Sequence, residues 1–85
     1  MTGYKEVILK EGKWVGRYFN DNQTRFTSSH EDPRMAALEG EQLRVVYGIP
    51  AANKNLRREA ERIIQSSGIN KQVSYFLEPE VILGV

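Results

Sequence analysis

The sequence predicts an α+β domain: a small mixed sheet of about four strands, built from an N-terminal hairpin plus a βαβ unit and covered by helices. Three observations carry this. Leu56, Ala60, Ile63 and Ile64 recur at the spacing of one helical face, with Arg57, Arg58, Glu61, Arg62 and Gln65 on the other side. Apolar alternation brackets that helix, at Leu43, Val45, Tyr47 and Ile49 before it and Val73, Tyr75 and Leu77 after it. Strand, helix, strand in that order is normally a right-handed crossover between parallel strands.

The elements follow in order. Tyr4 to Lys10 alternates, with Tyr4, Glu6, Ile8 and Lys10 on one side and Lys5, Val7 and Leu9 on the other. Glu11-Gly12-Lys13 reads as a turn, and Trp14 to Phe19 is β-favouring, so the pair forms a hairpin with Gly12 at positive φ. Asn20-Asp21-Asn22-Gln23 is a polar break. Thr24 to Glu31 fits either a third strand or a short irregular helix, and the helix is the expectation. Asp32-Pro33 is a helix start, and Gly40 is expected to stop that helix after Glu39. Asn53 should cap the long helix and Gly68 should end it. Pro79 breaks the last strand, and Val81, Ile82 and Leu83 form an apolar tail suited to a sheet edge.

Composition narrows the class. The 85 residues are expected to form a single compact domain, residues 1–85, with a core near the lower limit for independent folding. The absence of cysteine excludes disulfides and thiolate metal sites. No apolar run approaches the roughly 20 residues of a membrane span, and the Met1 end lacks a signal-peptide pattern. A soluble, cytoplasmic chain is the expectation. A net charge of +1 argues against coating nucleic acid by bulk electrostatics, while leaving room for a local basic patch.

Several residues could carry chemistry. Lys54, Arg57, Arg58 and Arg62 place four cations on or near one helix. They form either a solvated face tempered by Glu59 and Glu61 or a phosphate-contacting patch. His30, the only histidine, is either exposed in a polar loop or an acid, base or phosphate-orienting group. Trp14, Tyr18 and Phe19 are core or cross-strand partners, or stacking platforms for bases beside Arg17 and Arg25. No histidine pair at metal-ligand spacing, phosphate-cradling glycine loop or Ser-His-Asp set stands out.

Taken together, the order of these residues resembles the GIY-YIG nuclease superfamily, in the small versions found as C-terminal toxin domains of bacterial polymorphic toxins. The likeness runs from Gly3-Tyr4 through Trp14-Val15-Gly16, Asn20, Arg25 and His30 to Arg58-Glu59-Ala60-Glu61 and Gly68. Gly3 abuts Tyr4, and Trp14 stands where the family has its second tyrosine. The resemblance implies metal-assisted phosphodiester cleavage. Tyr4 would help deprotonate water, Arg25 would hold the phosphate, His30 would share the catalytic site, and Glu59 or Glu61 would bind Mg²⁺. Two other functions fit the residues. One is a non-catalytic interaction module, such as a phage or mobile-element accessory protein, holding a protein partner through a sheet edge or the arginine-rich helix, with the tail Val81-Ile82-Leu83 suited to edge-strand pairing or a homodimer. The other is a nucleic-acid-binding domain without catalysis, using Trp14 and Tyr18 as stacking platforms beside Arg17 and Arg25.

Overall fold

A computed structural model describes residues 3–67. Three strands come first, β1 (Val7–Lys10), β2 (Lys13–Asn20) and β3 (Gln23–Phe26), followed by two helices, α1 (Pro33–Tyr47) and α2 (Lys54–Ser67). The strands form an antiparallel sheet in the order β1-β2-β3. The helices lie on one face of it, so the molecule is α+β as expected.

The two hairpins follow from their turn residues. Glu11 (φ 53°) and Gly12 (φ 79°) link β1 to β2, while Asp21 (φ 54°) and Asn22 (φ 61°) link β2 to β3. Two successive positive φ values match the right-handed twist of the flanking strands, and Gly, Asn and Asp tolerate them best. The first register pairs Val7 with Gly16, Ile8 with Val15, Leu9 with Trp14 and Lys10 with Lys13. The second pairs Arg17 with Phe26, Tyr18 with Arg25 and Phe19 with Thr24. Beyond β3, the Gly16 N–H donates to the Thr27 Oγ1 at 2.8 Å, and Trp14 and His30 then exchange backbone bonds. Three steps from Thr27 to His30 oppose two from Gly16 to Trp14, so one extra residue bulges the edge.

Helix α1 lies close against β2 because Gly16 leaves room for it. A Cβ at Gly16 would stand only 2.6 Å from the Ala36 carbonyl oxygen. Asp32 caps α1 through its side chain, accepting from the Arg34 N–H at 2.9 Å, with Pro33 in the first turn as expected. Gly48 ends it in the left-handed conformation (φ 72°). Helix α2 buries Leu56, Ala60 and Ile64 and half-buries Ile63, the face its periodicity predicts. Leu56 and Ala60 meet Ala37 and Leu38 of α1, with Tyr4, Val7, Val45 and Ile63 around them.

Three expectations are corrected. The βαβ unit does not form: Leu43, Val45 and Tyr47 belong to α1, and what precedes α2 is a helix. The helix starting at Asp32-Pro33 passes through Gly40 instead of stopping there. Its buried side reads Ala36, Ala37, Gly40, Glu41 and Arg44, a helical stripe disguised by a charged pair. The segment from Thr24 to Glu31 is not helical: it begins in β3 and ends in the bulged bridge at His30. The expected strand at Val73 to Leu77, the cap at Gly68 and the tail at Val81 to Leu83 lie outside the described residues, and with them the expected edge-strand partner or homodimer contact.

Glu41 is the largest fully buried side chain among the described residues. Its Oε2 accepts from the backbone N–H groups of Ala52 (3.0 Å) and Asn53 (2.8 Å) and from Arg44 Nη1 (3.1 Å). Its Oε1 has no hydrogen bond, and its nearest cation is Arg57 Nη1 at 3.7 Å. Arg44 also donates from Nη2 to the Arg17 carbonyl at 2.5 Å, and Arg57 donates to the Ile49 carbonyl at 2.7 Å. One carboxylate thus joins α1, the α1–α2 connection and the central strand. Asn53 stands at the expected entrance to α2. Its side chain, however, spans to β1's approach, accepting from the Lys5 N–H and donating to the Lys5 carbonyl.

Candidate nucleic-acid interface

Directly opposed residues share a face of a sheet. Gly16 and Tyr18 face α1, so Val7, Leu9, Trp14 and Arg25 lie on that inner face too. The outer face then carries Ile8 and Lys10 from β1, Lys13, Val15, Arg17 and Phe19 from β2, and Thr24 and Phe26 from β3. Glu6 opposes Arg17 just before β1. No described element covers this face.

Its side chains are organised by one another. The Lys10 ammonium sits 4.6 Å from the centroid of the Phe26 ring, spanning from one edge strand to the other. Val15 lies on the diagonal between them and is only 3% exposed, although no helix touches that side. Arg17 sits at the centre of the longest strand, its Nη2 donating to Glu6 Oε1 at 2.9 Å. That hydrogen bond, and next the Glu6 charge itself, hold the Arg17 guanidinium above its ordinary pKa. Lys13 meets Glu31 at 3.6 Å, with the Glu31 side chain 85% exposed. Such a pair is worth little in water and is readily exchanged for another anion.

The residues suggested by the nuclease resemblance have separate engagements. Tyr4 packs against the core cluster. Arg25 lies across from Tyr18 on the inner face. The His30 Nε2 lies 2.5 Å from Glu39 Oε1, and Ser28 Oγ donates to the same carboxylate oxygen at 2.7 Å. Glu59 takes the Arg34 guanidinium at 2.7 Å, and Glu61 pairs with Arg57 at 3.4 Å. Among the described residues no three His, Cys, Asp or Glu side chains converge as a metal-holding set. Tyr18, one of the two expected stacking platforms, is buried, its ring stacked on Tyr47 with centroids 5.8 Å apart. Trp14 shares that inward face.

Of the expected phosphate-contacting residues, Arg17 stands on the open sheet, while Lys54, Arg58 and Arg62 are exposed on α2. Arg57 is turned inward to Glu41, Glu61 and Ile49. Lys10, Lys13 and Phe26 share the outer face with Arg17 and Phe19 and were not singled out from the sequence. Their common side follows from strand alternation once the hairpin register is known. No helix among the described residues is long and apolar enough to cross a membrane. No protein-family model matches the chain, and no curated protein or solved structure is significantly similar to it.

Proposed function

We propose that this domain binds duplex DNA through the open face of its sheet, without cutting it. The observation that carries the reading is a three-stranded surface that no described element covers, with cations on its edge and centre and apolar groups between them. Lys10, Lys13 and Arg17 supply the attraction to phosphate, and Thr24, Phe19 and Phe26 the contact area.

Duplex is favoured over single strands by the state of the aromatics. Stacking successive bases needs successive free rings. Phe26 is engaged by Lys10, and Tyr18 and Trp14 face inward, which leaves Phe19, 59% exposed, as the free ring among the described residues of the sheet. DNA is favoured over RNA because the major groove of A-form RNA is too deep and narrow for side chains to read. The axes of three adjacent strands span about 10 Å, comparable to the roughly 12 Å major groove of B-DNA. Arg17, central and held by Glu6, is placed to reach a guanine edge, with Lys10 and Lys13 toward the phosphates.

Fluorescence anisotropy of labelled duplexes at several salt concentrations tests this. Three cationic contacts give a slope of log affinity against log salt of about −2.7. Arg17→Ala lowers affinity, and the duplex stays intact in the presence of Mg²⁺. Salt-independent binding, or binding that Arg17→Ala leaves untouched, refutes the sheet-face reading.

A further inference from the structure

Helix α2 carries a second cationic surface that the sheet-face reading does not use. Around its axis the buried residues Leu56, Ala60 and Ile64, with half-buried Ile63, define one side, and Lys54, Asn55, Arg58, Arg62 and Gln65 occupy the opposite side. Both carboxylates of the helix fall on its flanks. Glu59 is taken by Arg34 and Glu61 by Arg57. Lys54, Arg58 and Arg62 therefore form a row at i, i+4 and i+8 with no ion pair among the described residues. Three like charges in a row repel one another, a cost that an anionic partner turns into attraction. The row is about 12 Å long at 1.5 Å per residue, and the only other side chains on it are amides, which donate to phosphate without repelling it.

Helix α2 packs on α1 and toward Val7 of the sheet's inner face, and its row lies opposite that packed side, turned away from the sheet. The outer face of the sheet and the row are therefore two separate surfaces. We propose, resting on the sheet-face reading, that the α2 row holds the phosphate backbone of a second DNA duplex. One copy of the domain then bridges two duplexes, one read at the sheet and one held by charge alone.

The test is a sandwich assay, in which an immobilised duplex, loaded with the full chain, captures a second, fluorescent duplex. The wild type should capture it. The combined variant Lys54→Gln, Arg58→Gln, Arg62→Gln should keep its affinity for a single duplex while capture falls about tenfold or more. These positions are exposed, and circular dichroism checks that the variant folds. Gln65→Lys, which extends the row, should raise capture. Arg17→Ala should weaken the hold on one duplex and leave the α2 hold in place. Undiminished capture by the triple variant overturns bridging, as does a wild type that binds one duplex but captures none. A triple variant that loses single-duplex affinity instead overturns it by placing α2 on the same DNA. A wild type that binds no duplex fails earlier, at the sheet-face reading itself.

Discussion

Lys10 and Phe26, on the two edge strands, meet across the outer face of the sheet, ammonium over ring at 4.6 Å, on either side of Val15 in the register. Val15 is only 3% exposed on a face that no described element covers. Phe26→Ala removes a contact worth about 0.5–1 kcal/mol at exposed sites. Together with the lost apolar burial, the expected destabilisation is about 1–2 kcal/mol, read from the urea midpoint at unchanged m-value. Lys10→Met, which keeps the aliphatic reach without the charge, should recover part of the stability lost in Lys10→Ala.

Gly16 sets the distance between sheet and helix. A methyl group there would meet the Ala36 backbone oxygen at 2.6 Å and Thr27 Cγ2 at 3.0 Å, and backbone does not swing aside. Gly16→Ala should cost about 1–3 kcal/mol as an overpacking substitution. Gly12→Ala makes a useful contrast. Nothing lies within 4 Å of its Cβ position, so its cost comes only from the positive φ of 79°, about 1–2 kcal/mol.

Glu6 and Arg17 separate positioning from charge. Both side chains are nearly half exposed, so their ion pair contributes little to folding. Glu6→Gln should therefore leave the melting temperature almost unchanged. It removes a carboxylate from the proposed DNA face and frees the guanidinium, so non-specific affinity should rise while discrimination between duplex sequences falls. Anisotropy against a panel of duplexes reads both quantities. Equal discrimination by the wild type and Glu6→Gln would show that Glu6 does not orient Arg17.

The sequence was informative where local chemistry agreed with the tertiary structure. Gly12 and the Asn-Asp run announced the turns, Asp32-Pro33 the start of α1, and the apolar stripe the buried side of α2. It misled where the core uses charge. Glu41 and Arg44 occupy the buried side of α1, while Leu43, Val45, Tyr47 and Ile49 alternate by coincidence, so a strand period showed through a helix. Gly40 looked like a stop, yet α1 runs through it, and a Cβ there would stand only 3.0 Å from Arg44 Nη1. The candidate interface was half legible. Arg17 stood out, but Lys10 and Phe26 are neighbours only through the pairing of three strands.

Tyr18 gives the domain an alkaline limit. Burial, reinforced by the adjoining Tyr47, raises the Tyr18 phenol above its ordinary value of 10.0, because a phenolate would be stranded against α1 without water. A phenol whose pKa is higher folded than unfolded adds stability at low pH. That contribution is complete below about pH 10, where both states are protonated, and is lost as pH climbs through the folded-state value. Urea midpoints should accordingly fall above pH 10. Tyr18→Phe should flatten that fall while keeping the ring stacked on Tyr47.

Glu41 is the most consequential single residue in the described structure. Replacing it by alanine strands the Arg44 and Arg57 guanidinium groups and leaves the Ala52 and Asn53 N–H groups unpaired beneath the α1–α2 connection. Breaking a buried pair from one side costs about 3–5 kcal/mol, a large share of the 5–15 kcal/mol by which small domains are stable. Glu41→Ala should therefore show a large fall in the urea midpoint, read by circular dichroism. Glu41→Gln, whose amide oxygen can still accept from the two N–H groups, should fold with intermediate stability. Because Arg44 also holds the Arg17 carbonyl at 2.5 Å, Glu41→Gln should loosen the strand under the proposed DNA contact. Faster amide exchange at Arg17, with Lys10 and Phe26 unchanged, would show that the buried carboxylate sets the stiffness of the binding face.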